Sequence, residues 1–559
     1  MAQITYDAIV IGSGISGGWA AKELTEKGLK VLLLERGRNI EHVKDYDTAS
    51  QDPWQFKHRG RLTQQQVASH PVQSRDYPYS EFTSKLFVND TDCPYTEVKR
   101  FDWYRGYHVG GKSLMWGRQS YRLGDFNFEE NIKDGVAIDW PIRYKDIAPW
   151  YDYVERFAGI SGQREGLIQL PDGQFLPPME MNCVEKEVRK RLKEIYHDQR
   201  IMTIGRVANL TQPHNGRGSC QYRNMCIRGC PFGAYFSTQS STLPAAMATG
   251  RLTLRPFSIV NHILYDKDTK RATGVHVIDA ETHKHMDFYS RIIFVNGSTL
   301  ATTFILLNSV SDAFPDGMGN SSGQLGHNLM DHHFRAGASG FAEGFEDRYH
   351  YGRRANGIYI ARYRNFGNDK RDYLRGFGYQ GGAGRIGWSR EIAEMNFGVD
   401  LKEEATTPGP WKMGLAGFGE TLPYFENKVT IDRTKQDKWG QPVLSIDCEY
   451  KENEKKMRID MANDAAEMLE ATGMKNIKTF ADPCYPGQGI HEMGTARMGH
   501  DPKTSVLNKW NQLHDVANVF VTDGSCMVSS ASQNPSLTYM ALTARACDHA
   551  VQELKKRNI

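Results

Sequence analysis

The 559-residue sequence has no long hydrophobic run, no strong net charge and no internal repeat. No apolar stretch approaches the ~18 residues that would indicate a membrane span. The longest runs, such as "VLLLE" and "FILLNSV", predict buried strand or helix segments. The formal net charge of +3 is too small to favour nucleic acid or an anionic membrane as a partner. Hydrophobic residues make up 40% and charged residues 24%, which is typical of a globular protein.

Cysteine is also scarce. Six of the nine cysteines lie scattered along the chain, which excludes a small disulfide-stapled scaffold. The first residues, "MAQITYDAIVIGSG", contain no basic region, no leader-like apolar segment and no small-residue cleavage site. We therefore expect a chain without an export signal of its own.

The N-terminal segment "YDAIVIGSGISGGWAAKELTEKGLKVLLLERG" predicts a dinucleotide-binding unit. Strand, glycine turn, helix, strand and acid follow one another within about thirty residues. The first glycine allows a tight turn, the second lets a pyrophosphate approach the backbone, and the third lets helix and strand pack closely. The acid suits ribose hydroxyls. These candidate cofactor residues are Gly12, Gly14, Gly17 and Glu35. The motif alone leaves FAD and NAD open.

The C-terminal part carries a second group of candidate residues. "HEMGTARMG" begins at His491. The later stretch "NVFVTDGSCMVSSASQNPSLTYMALTARACDHAV" predicts a strand, a turn at Asp523, and a helix after Asn534 and Pro535. Proline suits the first helical position and asparagine suits the cap. The apolar stripe of this helix predicts that it packs on the core.

Three cysteines, Cys220, Cys226 and Cys230, are crowded into "SCQYRNMCIRGCPFG". A disulfide would use two of them and leave one. Zinc prefers four ligands in paired short spacings, so three cysteines with His214 nearby are a poor zinc set. The third alternative is an iron–sulfur cluster, because the proline after the last cysteine resembles the end of ferredoxin-type motifs.

The C-terminal motifs resemble those of the glucose–methanol–choline (GMC) oxidoreductases, FAD enzymes that oxidise alcohols. In that family a histidine of an "HxxGT" segment and a histidine or asparagine before the last helix flank the flavin. The matching residues here are His491 and Asn534. "RGYHVGGKSLMWG", "FVNGSTLATTFILLNS" and "GQLGHNLMDH" resemble further family segments in the same order. The resemblance spans nearly the whole chain and implies FAD rather than NAD.

The segment "RGYHVGGKSLMWG" resembles the loop that covers the flavin, which implies cofactor contacts for Gly110, Gly111 and Met115. Some relatives attach FAD covalently to a histidine in this loop. The matching residue here is Met115, whose thioether cannot form that bond, so we expect non-covalent FAD. His108, earlier in the loop, is the one residue that would upset this expectation.

The resemblance implies that a hydride passes from an alcohol carbon to flavin nitrogen 5 while the hydroxyl proton passes to a base. His491 is the candidate base, because a histidine with a pKa of about 6.5 is neutral near pH 7. Asn534 would hydrogen-bond the reacting hydroxyl, and Asp523 is a further expected cofactor residue. The expected fold is therefore that of a GMC flavoenzyme.

The resemblance is closest to the large subunits of bacterial sugar and sugar-acid dehydrogenases, of the glucoside 3-dehydrogenase, glucose dehydrogenase and gluconate dehydrogenase type. That branch has a cysteine cluster at the same place in mid-chain, which implies a 3Fe-4S cluster on Cys220, Cys226 and Cys230. Ser219 stands where the branch often has an additional cysteine. With such a cluster, electrons would pass to a protein or dye acceptor rather than to oxygen.

The expected substrate is a sugar or glycoside, oxidised at carbon 3 of a glucoside or, next, at carbon 1 of glucose. Gluconate ranks lower because no candidate pocket residue suggests a fixed cation for a carboxylate. Two alternatives stay open. One is an oxygen-using sugar or alcohol oxidase of the same fold. The other is a flavin electron-transfer subunit without a substrate of its own, which the pairing of His491 with Asn534 disfavours.

We expect a two-domain α/β fold, with a Rossmann-like FAD domain and a substrate domain built on a mainly antiparallel sheet. The FAD domain is expected to combine four segments: 1–45, 105–125, 205–330 and 485–559. The substrate domain and cover loops are expected to take the rest: 46–104, 126–204 and 331–484.

Three segments of the expected substrate domain carry structural predictions. "NKVTIDRTKQDKWGQPVLSIDCEY" predicts a hairpin. Residues 375–385, with Tyr379 and Gln380, are either a pocket segment or a surface hairpin. The segment "NEKKMRIDMANDAAEMLEATGM" predicts a helix with one buried face. The residues expected on that face are Met457, Ile459, Met461, Ala465 and Met468.

The resemblance also implies partners. Catalytic subunits of this branch often lack a leader and reach the periplasm with a small subunit that has one. We therefore expect a small companion subunit, a cytochrome or other electron acceptor, and a periplasmic location by co-export. A cytoplasmic location is the alternative. We expect no nucleic-acid partner and no membrane span.

Overall fold

The computed structural model describes residues 5–349, 354–387 and 397–559. Ten α-helices lie within these ranges: α1 (Ile15–Glu26), α2 (Gln64–Ser69), α3 (Glu130–Asp134), α4 (Tyr144–Ala158), α5 (Cys183–Tyr196), α6 (Thr242–Ala248), α7 (Thr299–Asn308), α8 (Val399–Thr406), α9 (Glu452–Ala471) and α10 (Ser536–Lys556).

The same ranges contain sixteen β-strands. They are β1 (Tyr6–Ile11), β2 (Val31–Leu34), β3 (Thr96–Glu97), β4 (Met202–Ile204), β5 (Leu252–Arg255), β6 (Ser258–Asp266), β7 (Arg271–Asp279), β8 (His285–Val295), β9 (Ala336–Ala342), β10 (Ile358–Ile360), β11 (Phe377–Arg385), β12 (Trp411–Gly419), β13 (Lys428–Gln436), β14 (Pro442–Asp447), β15 (Lys475–Ala481) and β16 (Val519–Val521).

The largest sheet places the N- and C-terminal segments side by side. Its strand order is β5-β2-β1-β8-β7-β6, with β16 beside β8. β1 runs parallel to both β2 and β8, and β16 runs parallel to β8. β6, β7 and β8 form an antiparallel meander. All four residues of β2 are buried, as expected for a parallel strand covered on both faces.

Helices α1 and α10 pack against each other beside this sheet. α1 starts directly after the glycine turn that follows β1, and its Trp19, Ala20, Ala21 and Leu24 are fully buried. β1, α1 and β2 thus form the predicted Rossmann-like unit, and the carboxyl ends of β1 and β2 point to one edge, where ligands bind in such sheets.

A second sheet is antiparallel throughout. Its order is β15-β9-β12-β11-β10-β4. α9 packs on it through Met457, Met461 and Met468, all buried. The expectation that Ile459 shares this face was wrong, since its side chain is 61% exposed. At 3.6 residues per turn, a residue two positions after Met457 lies on the opposite side of the helix. The two sheets confirm the predicted two-domain α/β fold.

Residues 375–385 were expected to be either a pocket segment or a surface hairpin. They are not a surface hairpin, because β11 pairs with β12 on one side and β10 on the other.

The predicted hairpin, β13 with β14, is present. It forms a small separate sheet with β3 and packs on the core of the first domain through Val429 and Leu444.

No helix among the described residues is both long enough and apolar enough to cross a bilayer.

Candidate active site

A cavity of about 560 Å³ extends from the glycine turn after β1 to the start of α10. It brings together most of the residues predicted from the two ends of the sequence. The predicted residues that line it are Gly12, Gly14, Glu35, Gly111, Met115, His491, Asp523 and Asn534. Gly17 and Gly110 do not line the cavity, although a residue next to each of them does. The three clustered cysteines line a different cavity.

The glycine turn is built so that only glycine fits at its close approaches. A Cβ atom added at Gly12 would lie 2.4 Å from the Asn296 carbonyl oxygen, and one added at Gly17 would lie 1.8 Å from the Gly12 carbonyl oxygen. By contrast, nothing lies within 4 Å of a Cβ added at Gly14. Gly14 is the N-cap of α1, and no side chain of the described residues caps that end. The helix therefore presents unpaired N–H donors and its positive end to an anion.

Glu35, at the end of β2, holds this turn in place. Its carboxylate accepts hydrogen bonds from Ser13 N at 3.1 Å, Ser13 Oγ at 2.6 Å and Gly37 N at 3.0 Å. Burial raises the pKa of Glu35, and the three donors oppose that rise. The acid thus has a structural role in addition to the predicted one toward a ribose.

The loop that carries Gly110, Gly111 and Met115 lies over the glycine turn. The Gly110 N–H donates to Ser13 Oγ at 2.9 Å, and a Cβ added at Gly110 would lie 2.1 Å from the Gln239 amide. Met115 is buried and lines the cavity. His108 is also buried but does not line the cavity, and its Nδ1 lies 3.0 Å from the Val109 carbonyl oxygen. Burial lowers the pKa of His108 to about 4.

Asp523 lines the cavity at the end of β16. Its carboxylate accepts from Thr302 Oγ1 at 2.5 Å and from Ser525 Oγ at 2.5 Å. Burial raises the pKa of Asp523, while these hydroxyls lower it. It therefore ties β16 to α7 at the cavity wall.

The backbone around His491 is anchored by one buried carboxylate, that of Asp331. Its Oδ1 accepts from the His491 N–H at 3.0 Å, and its Oδ2 accepts from the N–H groups of Gly487 at 2.8 Å and Gly489 at 2.9 Å. Burial raises the pKa of Asp331 to about 7, against the effect of the three N–H donors. This contact fixes the position of the loop that carries the candidate base.

The His491 ring lies between two side chains. Its Nδ1 is 2.9 Å from Nδ1 of His332, whose Nε2 is in turn 2.7 Å from the Ala531 carbonyl oxygen. Its Nε2 is 3.4 Å from Asn534 Nδ2. His491 and Asn534 both line the cavity, so the predicted base and hydroxyl-binding amide lie together at one wall.

Asn534 does not cap α10 with its side chain. Pro535 occupies the cap position, and no side chain of the described residues caps this helix end. The side-chain oxygen of Asn534, Oδ1, instead accepts from Gln380 Nε2 at 2.7 Å. The Asn534 side chain therefore faces the cavity and does not cap the helix.

Burial lowers the pKa of His491 well below its ordinary value, and the nearby His332 and Lys112 lower it further. Burial also lowers the pKa of His332 to about 4. Both imidazoles are therefore neutral near pH 7, the protonation state that a base requires.

Aromatic and amide side chains also line the cavity. Phe334 and Phe418 stack with ring centroids 5.3 Å apart, and Gln119 and Asn356 are further lining residues. Gln380 lines the cavity, whereas Tyr379 is buried and donates to the Met461 carbonyl at 2.8 Å. Of this predicted pair, only Gln380 faces the site, because successive residues of a strand point to opposite faces.

Arg118 is a charged residue of the cavity wall that the sequence did not indicate. It is buried, lines the cavity and stacks over the Tyr235 ring at 5.4 Å. The expectation that the pocket lacks a fixed cation was therefore wrong. Lys112, another cation that lines the cavity, is paired with Glu492 at 3.0 Å.

Cys220, Cys226 and Cys230 line a separate cavity of about 30 Å³. Burial raises the pKa of the Cys220 thiol. Among the residues that the structure describes, no three histidine, cysteine or acidic side chains converge on a single metal-ion position. The three cysteines therefore share a small cavity without forming a complete metal-binding set among the described residues. None of the three thiols is paired in a disulfide.

Sequence reasoning missed several residues of the site. Asp331 and His332 belong to "GQLGHNLMDH", a segment to which we assigned no site residue. Gln119 and Arg118 directly follow the flavin-loop motif, and adjacency to that motif was the only signal for them.

Comparison with known proteins identifies the family. Sequence profiles described as GMC oxidoreductase match residues 6–334 and 423–543. The chain belongs to the GMC oxidoreductase family, and it is an oxidoreductase.

Several curated relatives match almost the whole chain. The 2-methyl-1,2-propanediol dehydrogenase of Mycolicibacterium austroafricanum is 29% identical, over 97% of this chain and 94% of its own. The fructose dehydrogenase large subunit of Gluconobacter japonicus is 25% identical over 99% of both chains. The 6'''-hydroxyparomomycin C oxidase of Streptomyces lividus is 25% identical over 97% of this chain and 90% of its own.

The fold also matches solved structures. Pyridoxine 4-oxidase from Mesorbium loti has a TM-score of 0.61 at 16% identity, covering 97% of this chain and 98% of its own. At this identity the likeness concerns the fold alone.

GMC oxidoreductases bind FAD, and the cavity fits that cofactor. Its volume of about 560 Å³ is within the usual range for cofactor sites. The uncapped end of α1 suits a pyrophosphate. Two polar atoms of cavity-lining residues, Asn296 Nδ2 and the Tyr539 hydroxyl, are buried without a partner among the described residues. A polar ligand would satisfy such groups.

Proposed function

We propose that the chain is an FAD-dependent dehydrogenase that oxidises a hydroxyl group of a sugar or glycoside. One observation carries the proposal. His491 Nε2 and the Asn534 amide lie 3.4 Å apart on the wall of a cavity that also contains the glycine turn. A neutral base and an amide side by side suit a hydroxyl that must be held and deprotonated.

In this proposal Asn534 holds the substrate hydroxyl and His491 Nε2 accepts its proton. Bound FAD supplies the acceptor for the hydride. The lowered pKa of His491 supports the role, because the ring stays neutral before the reaction.

FAD is proposed to be held non-covalently. Support comes from Met115 at the loop position where some relatives have the linking histidine. His108 is buried and does not line the cavity, which also supports non-covalent binding. Gly12, Gly14, Glu35 and Gly111 would hold the cofactor along the wall nearest to α1. Acid precipitation should then release all the flavin into the supernatant, and flavin retained in the pellet would point to His108.

The substrate class rests on the cavity wall and on the relatives. Stacked Phe334 and Phe418 suit the apolar faces of a sugar ring, and Gln119 and Asn356 suit its hydroxyls. Fructose dehydrogenase and 2-methyl-1,2-propanediol dehydrogenase are named for substrates with hydroxyl groups. We rank carbon 3 of glucosides first and carbon 1 of glucose second, an order that rests on resemblance alone.

Arg118 favours a second substrate class. A buried guanidinium on the cavity wall suits a carboxylate, so a sugar acid such as gluconate is the runner-up. A substrate panel therefore needs glucosides, glucose, gluconate and a small diol. Anaerobic bleaching of the flavin by one of them identifies the class, and bleaching by none favours an electron-transfer subunit.

We propose that electrons leave to a protein or dye acceptor through a 3Fe-4S cluster held by Cys220, Cys226 and Cys230. Support comes from the shared cavity of the three thiols and from Tyr235, which lines that cavity and donates to the Leu114 carbonyl of the flavin loop at 2.7 Å. The lack of a converging set of metal ligands among the described residues weighs against a preformed cluster site. Iron analysis and electron spin resonance of purified protein test this point directly.

An oxygen-using oxidase is the main alternative, and several relatives are named oxidases. Turnover with an anaerobic dye, compared with peroxide release in air, separates the two. A dehydrogenase should reduce the dye much faster than it releases peroxide. The reverse result would overturn the dehydrogenase assignment.

A small companion subunit and a periplasmic location by co-export complete the proposal. One relative is named as a large subunit. Half-exposed Tyr222 and Phe232 beside the cysteine cavity offer apolar surface for a partner. Co-expression with a candidate small subunit should raise solubility or activity. A fully active lone chain in the cytoplasm would count against both parts.

A further inference from the structure

The ring contacts of His332 determine where its proton lies. Its Nε2 is 2.7 Å from the Ala531 carbonyl oxygen, and its Nδ1 is 2.9 Å from His491 Nδ1. A carbonyl oxygen only accepts hydrogen bonds, so Nε2 of His332 must carry a proton. His332 is fully buried, and burial lowers its pKa to about 4, so the ring is neutral and its Nδ1 is an acceptor.

This assignment fixes the proton on His491 as well. Because His332 Nδ1 accepts, His491 Nδ1 must donate. A neutral His491 then carries its only proton on Nδ1, so its Nε2 is unprotonated and can accept a hydrogen bond or a proton. That nitrogen is the one beside the Asn534 amide at 3.4 Å. The arrangement presents the base in the form that can take a proton.

The donor and acceptor atoms of the neighbouring side-chain amides follow from the same assignment. Since His491 Nε2 accepts, Asn534 must offer its Nδ2 there and its oxygen to Gln380 Nε2 at 2.7 Å. Gln380 then accepts from Gln119 Nε2 at 3.1 Å. Gln119 accepts from the Tyr121 hydroxyl at 2.5 Å. All hydrogen bonds in this row point toward one end, the Ala531 carbonyl.

The backbone at Ala531 supports a specific role for that carbonyl. Ala531 is fully buried and has a φ of 53°, a left-handed conformation that alanine rarely adopts. Such strain is typically held by its surroundings and clusters at functional sites. Here the conformation accompanies a carbonyl oxygen directed at His332.

We propose that His332 is a positioning residue that holds His491 in the tautomer with an unprotonated Nε2, and that the Ala531 carbonyl sets this tautomer through His332. The proposal rests on the proposed role of His491 as base. It adds a residue that touches neither substrate nor cofactor. Its effect on the reaction is exerted only through the His491 ring.

The first test reads the tautomer directly. Holoenzyme labelled with ¹⁵N-histidine should give, for His491, one ring nitrogen with the shift of an unprotonated imidazole nitrogen, assigned to Nε2, and a protonated Nδ1. For His332, Nδ1 should be unprotonated and Nε2 protonated, which is the opposite tautomer to that of His491. Peaks lost in His491→Ala and His332→Leu give the assignments. A protonated Nε2 on neutral His491 would overturn the proposal.

The second test is kinetic and uses three variants with FAD content checked in each. His332→Leu removes the acceptor for His491. Flavin reduction by substrate should slow by about 10²-fold or more with little change in KM, because loss of the tautomer-fixing partner of a serine protease histidine costs roughly 10⁴-fold. His332→Gln restores one acceptor and one donor and should recover to within about tenfold, the scale of one imperfect hydrogen bond.

The matched control is His333→Leu. His333 is the next residue, is equally buried and faces Tyr450 rather than His491. A purely structural effect of removing a buried histidine should appear in this variant too. If His332→Leu and His333→Leu slow the reaction equally, or if His332→Gln is no better than His332→Leu, the positioning role is wrong.

The outcomes separate this inference from the proposed function. If His491→Ala keeps full activity, the proposed base is wrong and the role of His332 falls with it. If His491→Ala is inactive while His332→Leu is normal and the ¹⁵N shifts of His491 are unchanged, only the inference is wrong. If His332→Leu does not fold, the ¹⁵N spectrum of the wild-type enzyme and the rate of flavin reduction in His332→Gln still test the proposal.

Discussion

Two clusters of reactive side chains differ sharply in how they are built. At the His491 end of the main cavity, each polar side chain contacts the next, from Tyr121 to the Ala531 carbonyl, at 2.5–3.4 Å. Around Cys220, Cys226 and Cys230, the thiols share a cavity of about 30 Å³ without converging on one ion position in the described chain. The first is a preorganised site, and the second is not.

The difference shows what chemistry requires of a fold. The His491 site draws on segments hundreds of residues apart, and a buried carboxylate, Asp331, holds its loop through three N–H groups. The cysteines lie on one short loop, where sequence proximity alone brings them together. Long-range convergence with satisfied hydrogen bonds marks a catalytic arrangement more strongly than local crowding does.

The largest expected effect comes from removing the base. His491→Ala should keep FAD and slow flavin reduction by substrate about 10²–10⁴-fold, since general acid–base groups contribute that much. Anaerobic stopped-flow spectroscopy with matched FAD loading measures it. A near wild-type rate would show that His491 is not the base, and the contrast between the two clusters would no longer hold.

A smaller and graded effect is expected from pH. Burial lowers the pKa of His491 well below its ordinary value, so the ring stays neutral as the pH falls through about 6.5. The value of kcat/KM should therefore stay constant as the pH falls through about 6.5. It should fall by about tenfold per pH unit only below the lowered pKa of His491. A limb centred at or above about 6.5 would contradict the buried environment.

Gln380 and Tyr379 offer a matched pair on one strand. Gln380→Leu removes the donor to Asn534 and should lower kcat/KM by about 2- to 10-fold, the scale of one hydrogen bond of ~0.5–1.5 kcal/mol. Tyr379→Phe removes a hydroxyl that faces the opposite side of β11. It should lower thermal stability slightly and leave kcat/KM unchanged. Equal kinetic effects would show that the row of amides has no special role.

The smallest effect on the substrate half-reaction is expected at the cysteine cluster. Cys226→Ser should slow electron transfer to a cytochrome more than transfer to a small dye that reaches the flavin directly. Measuring both turnovers with one substrate gives the ratio. An unchanged ratio, together with no iron in the wild type, would mean that the three cysteines are structural.

Much of the fold was readable from the sequence. The Rossmann unit follows from apolar runs separated by glycines, because each feature acts over a few residues. The same holds for the buried face of α9, apart from Ile459, which lies on the exposed side of the helix. Such local patterns do not show that β13 and β14 would leave the second sheet, since that depends on contacts between distant segments.

The site was readable only in part. His491 and Asn534 came from motif resemblance, but Asp331, His332 and Arg118 act through three-dimensional contacts that no spacing reveals. The role of Asn534 as a helix cap was a reasonable expectation from its place before Pro535. It was wrong because the cap position is Pro535 and the helix begins at Ser536, one residue later than expected.

The most direct test of the central claim is chemical rescue of His491→Ala by imidazole. If His491 Nε2 takes the hydroxyl proton, added imidazole should restore part of the rate of flavin reduction in an anaerobic stopped-flow experiment. Restoration should rise with the neutral form of the added base. Asn534→Ala, which retains His491, should not respond. A His491→Ala variant that is as fast as wild type without imidazole would contradict the account, as would equal stimulation of both variants.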